Sequence, residues 1–381
     1  FNMRIRNKII FSWLFFMIIY PVAAQQYKAV LPYRVIGGKM IVDMVMNGTP
    51  RSFIFDTGGR TALTGEICEE LGLVVVDSLQ VTDVNSNVAA YPIVAIESLL
   101  TSDEKINFRN VPAMKLPEPS PFECFRADGL IGSDLLGRMI VEIDGKAKTV
   151  TLTSAERASA ISLRKMIPFT RSGIPVIALQ AGAGNNIVCL FDTGCPGFFS
   201  LKDTDFEALQ SAAAFDILAE GYGEGSIGVA GMAAANVSRR VCFPLLSVGG
   251  TKFRNVSAET STPPFTLLGI KLLDYGNVTL DYPRARFYFE AYEPENDLES
   301  KHYNVALRVK EGELIVSVVW GDMKGVVEVG DKVTKINGKP VGKYDFCESI
   351  INGIPELKTK KKTKLAIQTR QGERIIVYQK E

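Results

Sequence analysis

The sequence holds a single histidine, His302, in a polar stretch late in its 381 residues. That excludes Ser-His-Asp triads and Cys-His dyads unless His302 itself serves, and it excludes histidine-rich zinc sites. The six cysteines (Cys68, Cys124, Cys189, Cys195, Cys242 and Cys347) form no Cys-x-x-Cys. They read either as buried small hydrophobes or as one or two disulfides, with Cys189 and Cys195 near enough in sequence to pair around Asp192. There is no Gly-x-x-x-x-Gly-Lys phosphate loop. A net charge of +1 gives nucleic acid no footing, and the basic run from Lys358 to Lys364 reads as a solvated loop. No cofactor and no metal are expected.

Long apolar runs are also scarce. Ile9 to Tyr20 is too short for a comfortable membrane span. Arg4, Arg6 and Lys8 precede it, and Val22-Ala23-Ala24 follow it, so 1–24 reads as a secretory signal cut before Gln25. The expectation is an exported chain, periplasmic or secreted, with no stable membrane span after signal removal.

What is present is a globular composition, 46% hydrophobic, and a phrase that occurs twice. Phe55-Asp56-Thr57-Gly58 ends one apolar run, and Phe191-Asp192-Thr193-Gly194 ends another. Turn residues flank both runs, so each reads as a short buried strand whose Asp stands where the chain leaves the core. Upstream of the first lie Arg34-Val35-Ile36, a Gly37-Gly38 turn, the alternating run Lys39 to Met46 and a turn at Asn47-Gly48. Upstream of the second lie Ile174 to Leu179 and a turn around Gly182 to Asn186. Short helices are expected over Glu66 to Leu71 and Asp203 to Ala214.

More markers recur in the same order. Phe108-Arg109-Asn110-Val111 returns as Phe253-Arg254-Asn255-Val256, and Leu130-Ile131-Gly132 as Leu267-Leu268-Gly269. Val141-Glu142-Ile143-Asp144 is echoed by Val278-Thr279-Leu280-Asp281. This is an internal duplication, and halves packed about a pseudo-twofold axis would bring Asp56 beside Asp192. Each half also carries a segment that reads as a mobile hairpin: Thr82 to Tyr91, with Asn85-Ser86-Asn87 at the tip, and the glycine-rich Gly221 to Gly231. Pro294-Glu295-Asn296-Asp297 reads as a linker to a third unit. There Gly330-Asp331 and Ile336-Asn337-Gly338 mark a strand and turn, a helix is expected from Lys343 to Asn352, and two strands close the chain.

Two carboxylates a few ångströms apart cannot both ionise cheaply, so they share a proton. Such a pair can hold a water, take a proton from it with one acid, and protonate a carbonyl with the other. This hydrolysis needs neither histidine nor metal. Thr57 and Thr193 are candidates to brace the two loops, and Gly58 and Gly194 let loop N–H groups reach the acids.

On these residues the chain resembles aspartic proteases of the pepsin and retropepsin type over about residues 30–290. The resemblance implies a mostly β, two-lobed β-barrel body with pseudo-twofold symmetry, catalytic Asp56 and Asp192, and an active-site loop of Thr57, Gly58, Thr193 and Gly194. It departs at Gly59 and Cys195, where the family has Ala, Ser or Thr, and the family's hairpin tyrosine is matched only loosely by Tyr91 or Tyr222. Through Gly330-Asp331 and Ile336-Asn337-Gly338, the last unit resembles a bacterial PDZ domain of α/β build, with a carboxylate loop at Lys310 to Leu314. The expected division is a signal at 1–24, lobes at 25–160 and 161–295, and PDZ at 300–381. The implied activity is aspartic endopeptidase, acting as a monomer on polypeptide substrates, with a C-terminal peptide as ligand of the PDZ unit. The alternative is a protease-like body that grips peptides without cutting them.

Overall fold

The computed structural model describes residues 27–82, 88–154, 165–170, 173–182, 184–225, 227–228, 231–232, 234–262, 264–358 and 362–380. The expected signal, the tip Asn85-Ser86-Asn87 and part of the basic run lie outside the described residues. The chain is mostly β. None of its described helices is long and apolar enough to cross a membrane.

The first lobe opens as the alternation dictates. Lys28–Ile36 and Lys39–Met46 pair antiparallel around Gly37-Gly38, and Lys39–Met46 pairs Thr49–Asp56 around Asn47-Gly48. All four turn residues have positive φ, the geometry that matches the twist of a two-residue hairpin. Met40, Val42, Met44 and Met46 point into the core. Thr49–Asp56 then runs parallel to Gly129–Gly132, with Asp56 opposite Gly132. The second lobe repeats the plan. Val176–Ala181 and Asn185–Asp192 pair antiparallel, and Asn185–Asp192 runs parallel to Thr266–Gly269, with Asp192 opposite Gly269. The Phe-Arg-Asn-Val echo also has a backbone cause: Asn110 and Asn255 both take left-handed angles, which asparagine tolerates better than most residues.

The lobes meet in one sheet. Ile140–Asp144 pairs Gly276–Asp281 antiparallel: Val141 faces Leu280, Ile143 faces Val278, and Glu142 faces Thr279. These are the echoed residues, so the contact is self-complementary, and the pseudo-twofold axis passes between Glu142 and its own counterpart, Thr279. One hydrophobic core runs through both lobes.

The C-terminal unit has a separate core built on Val305, Val309, Val316, Val333, Leu365 and Ile367. Its helix, Phe346–Asn352, is shorter than expected, because Asp345 caps it by accepting from Glu348 N–H at 2.8 Å. The unit is not a loose appendage. Glu313–Trp320 pairs Asp216–Gly223 of lobe 2, so one sheet crosses from lobe to unit. Trp320 is buried at this seam, and the Arg240 guanidinium lies 4.2 Å from its ring centroid. On the other side, Cys347 in the helix forms a disulfide with Cys124 of lobe 1.

Four sequence expectations are corrected. The disulfide is Cys124–Cys347, while Cys189 and Cys195 are free thiols. The expected linker contains a strand, Glu295–Asp297, paired parallel to Thr251–Ser261, where Arg254 meets Glu295 and Asn255 donates to Asp297 at 2.9 Å. Lys310 to Leu314, expected as a carboxylate loop, is a two-residue hairpin turn whose ends belong to paired strands: Lys310 pairs Glu313 across Glu311-Gly312. Gly221 and Gly223 belong to the strand that joins the C-terminal unit, and they serve close approach. A Cβ on Gly221 would lie 2.4 Å from the Trp320 ring, and one on Gly223 would lie 2.3 Å from the Ser317 carbonyl oxygen.

Candidate active site

Each Asp-Thr-Gly begins on the last residue of a buried strand, so the strand core fixes where the acid emerges. Thr57 and Thr193 are fully buried and exchange hydrogen bonds across the axis. Thr57 N–H donates to Thr193 Oγ1 at 3.0 Å, and Thr193 N–H donates to Thr57 Oγ1 at 3.1 Å. Thr57 Oγ1 donates to the Phe191 carbonyl at 2.8 Å, and Thr193 Oγ1 donates to the Phe55 carbonyl at 2.7 Å. Every polar atom of the two hydroxyls is thus satisfied by the opposite lobe, as buried polar groups require. Serine could make the same bonds; valine could not.

The glycines measure how close the acids come. Gly58 N–H donates to Asp56 Oδ1 at 3.0 Å, and Gly194 N–H donates to Asp192 Oδ1 at 2.7 Å. A Cβ on Gly58 would sit 2.8 Å from Asp192 Oδ1, and one on Gly194 would sit 2.6 Å from Asp56 Oδ2. Each glycine therefore makes room for the other lobe's carboxyl. The two carboxyls therefore face each other closely enough to interact directly. Gly59 fits the same logic, since a Cβ there would lie 2.8 Å from Asp56 Oδ2. The departure at that position leaves the acid uncrowded.

Charge follows geometry. Burial first, then repulsion from Asp56, pushes the Asp192 carboxyl above the usual range, while the Lys39 ammonium pulls it back. Burial and the neighbouring Asp192 raise the Cys195 thiol to about 11, so it stays protonated at neutral pH.

Three contributors were not legible as site residues in the sequence. Ser133 Oγ donates to the Thr57 carbonyl at 2.5 Å, which leaves it to accept from Tyr282 OH at 2.9 Å. Ser133 follows the repeated Leu130-Ile131-Gly132 marker, which drew attention to the strand and not to what comes next. Its lobe-2 counterpart is Ile270, so this support is one-sided. The third is Lys39, whose ammonium contacts the Gly194 carbonyl. In sequence it was only the first residue of an alternating strand.

The corresponding hairpins of the two lobes differ. In lobe 1, Val75–Thr82 pairs Val88–Thr101. Tyr91 is buried there and lines a cleft of about 580 Å³ with Ala90, Leu116 and Glu118. In lobe 2, Asp216–Gly223 is held on both edges, by Asn236–Val248 and by the C-terminal unit. Tyr222 is half-exposed, so neither tyrosine stands as a matched pair.

Residues 42–135 match the model of the aspartyl protease family. No curated protein matches the chain. Among solved structures it is similar to a retropepsin-like aspartic protease from Rickettsia conorii, at 18% identity and a TM-score of 0.25, over 34% of this chain and 92% of that one. The family match supports a protease reading for the segment that carries Asp56; Asp192 lies beyond the matched residues.

Proposed function

We propose that the protein is an exported aspartic endopeptidase in which Asp56 and Asp192 jointly activate one water. The observation that carries this is the reciprocal threonine bonding that sets the two carboxyls in contact across the axis. The pair shares one proton, because burial and the repulsion between the two carboxyls oppose ionising both. The charged member takes a proton from water as its oxygen attacks the peptide carbonyl, and the protonated member donates to the carbonyl oxygen. The tetrahedral intermediate then collapses: the acid that took the water proton passes it to the amine nitrogen as the C–N bond breaks, and the other carboxyl takes back the hydroxyl proton as the carboxylic acid product forms, which restores the one-proton pair without a covalent enzyme intermediate. Thr57, Gly58, Thr193 and Gly194 hold the acids in place.

The C-terminal unit acts as a PDZ-type module that recruits or positions substrate. The edge of Val305–Lys310 and the helix Phe346–Asn352 flank a groove of about 480 Å³, lined by Leu307, Ile350 and Ile354, which suits a peptide's C-terminal end added as a strand. The Cys124–Cys347 disulfide supports export to an oxidising compartment.

The test is hydrolysis of an unfolded protein and a peptide library by the purified chain, read by mass spectrometry from acid to neutral pH. Cleavage that disappears in Asp56→Asn and in Asp192→Asn supports the reading. Cleavage by neither the wild type nor any variant, or full activity in Asp56→Asn, overturns it.

A further inference from the structure

The lobes share a plan around the acids, but among the described residues the cation beside them comes from lobe 1. The Gly37-Gly38 turn of lobe 1 is pressed between two neighbours. A Cβ on Gly38 would lie 2.6 Å from Pro196 Cβ in the lobe-2 acid loop, and one on Gly37 would lie 2.8 Å from the Phe125 ring. Lys39 leaves this turn half-buried. Its ammonium donates to the Gly194 carbonyl and stands 5.8 Å from the Phe125 ring centroid. Gly194 in turn donates its N–H to Asp192 Oδ1 at 2.7 Å. The matching place in lobe 2 follows from register. Ile41 pairs Ile54, two residues before Asp56, and Val176 pairs Leu190, two residues before Asp192. Lys39 therefore corresponds to Ile174, which carries no charge.

We propose that Lys39 is a positioning residue for the carboxyl pair, an ammonium lent by lobe 1 to the lobe-2 acid loop, which holds that loop and sets the pH window in which the pair keeps a single proton. This rests on the reading of Asp56 and Asp192 as a working pair. The charged and titratable groups around Asp192 are Asp56 from the other acid loop, Lys39 from the turn, and the Cys195 thiol from its own loop. Tyr282 of lobe 2, hydrogen-bonded to Ser133 of lobe 1, feels the charges of Asp56 and, more weakly, Asp134. Lys39 is the single cation among these. A positive neighbour favours ionised carboxyls, so removing it raises both apparent pKa values of the pair. The bell-shaped profile then moves to higher pH, losing activity on the acid side and gaining it on the alkaline side.

The test compares Lys39→Met, Lys39→Gln and Lys39→Arg in the full chain. The readouts are the pH profile of kcat/KM and the aspartate carboxyl titration followed by NMR. Met and Gln are expected to move both limbs and both titrations upward by about one pH unit, and Arg to restore the wild-type profile. Gln keeps a donor, on a side chain one bond shorter, and removes the charge, so it also carries the measurement should Met fail to fold. Superimposed titrations, or Gln behaving like Arg, overturn the proposal. Should the protein hydrolyse nothing, the hydrolase reading falls, and the carboxyl titration still decides Lys39.

Discussion

The corresponding hairpins of the two lobes descend from one repeat and are held in opposite ways. In lobe 1, Val75–Thr82 is the last strand of its sheet, and Val75 and Val76 are exposed on it. In lobe 2, Asp216–Gly223 lies inside a sheet, clasped by the C-terminal unit, with Gly221 pressed on Trp320. A hairpin with a free edge can lift by breaking contacts on one side only; one paired on both edges must break two ladders. The duplication set the acids symmetrically, and the third unit then made their surroundings unequal.

The acids are where the lobes should still behave alike. Asp56→Asn and Asp192→Asn are each expected to lower kcat/KM by about 10³-fold or more, measured on one fluorogenic peptide. A tenfold gap between the two would break the equivalence. Next in size is the staple between lobe 1 and the C-terminal unit. It closes a loop of 223 residues, and chain-entropy reasoning puts its contribution at about 5 kcal/mol. The double variant Cys124→Ser/Cys347→Ser should lose stability of that order in denaturant melts, and reductant should destabilise the wild type but not the variant.

Gly221→Ala tests the clasp itself. The new Cβ meets Trp320, so a loss of about 1–3 kcal/mol is expected. In contrast, Val76→Thr on the free lobe-1 edge should stay within about 0.5 kcal/mol. Equal effects at the two sites would remove the distinction between held and free hairpins. The smallest expected effect is on stability against pH. Asp192 has a raised pKa in the fold, so the folded state holds its proton more tightly than the unfolded chain does. Its penalty is absent below the ordinary aspartate range and grows as pH rises toward the folded value. Asp192→Asn should therefore be more stable than wild type at neutral pH, by about 1 kcal/mol, and the gain should vanish on acidification.

Much of the body was legible because its signals are local. Turns at Gly37-Gly38, Asn47-Gly48 and Asn337-Gly338 need positive φ, and residue type announces that. The buried strands before Asp56 and Asp192 read directly from their apolar runs. What failed were residues with two physical uses. Glycine serves either freedom or close approach, and in Gly221 and Gly223 the facing Trp320 and Ser317 decide for approach. Glu295 and Asp297 look like linker residues until Arg254 and Asn255 stand opposite them. Ser133, Tyr282 and Lys39 were missed because their partners are backbone carbonyls and hydroxyls of distant loops, which leave no spacing in the chain.

The sequence alone determined that the chain is doubled, that each copy ends a buried strand in Asp-Thr-Gly, and that a third β-rich unit follows. Those facts lie in short-range pattern: alternation, turn chemistry and repetition. Only the tertiary structure decided that the acids face each other, that Cys124 pairs Cys347, and that one hairpin is clasped while the other, among the described residues, ends its sheet. Each of these depends on atoms brought within a few ångströms from far apart in the chain, and such approach is fixed by how surfaces pack, which no local pattern encodes.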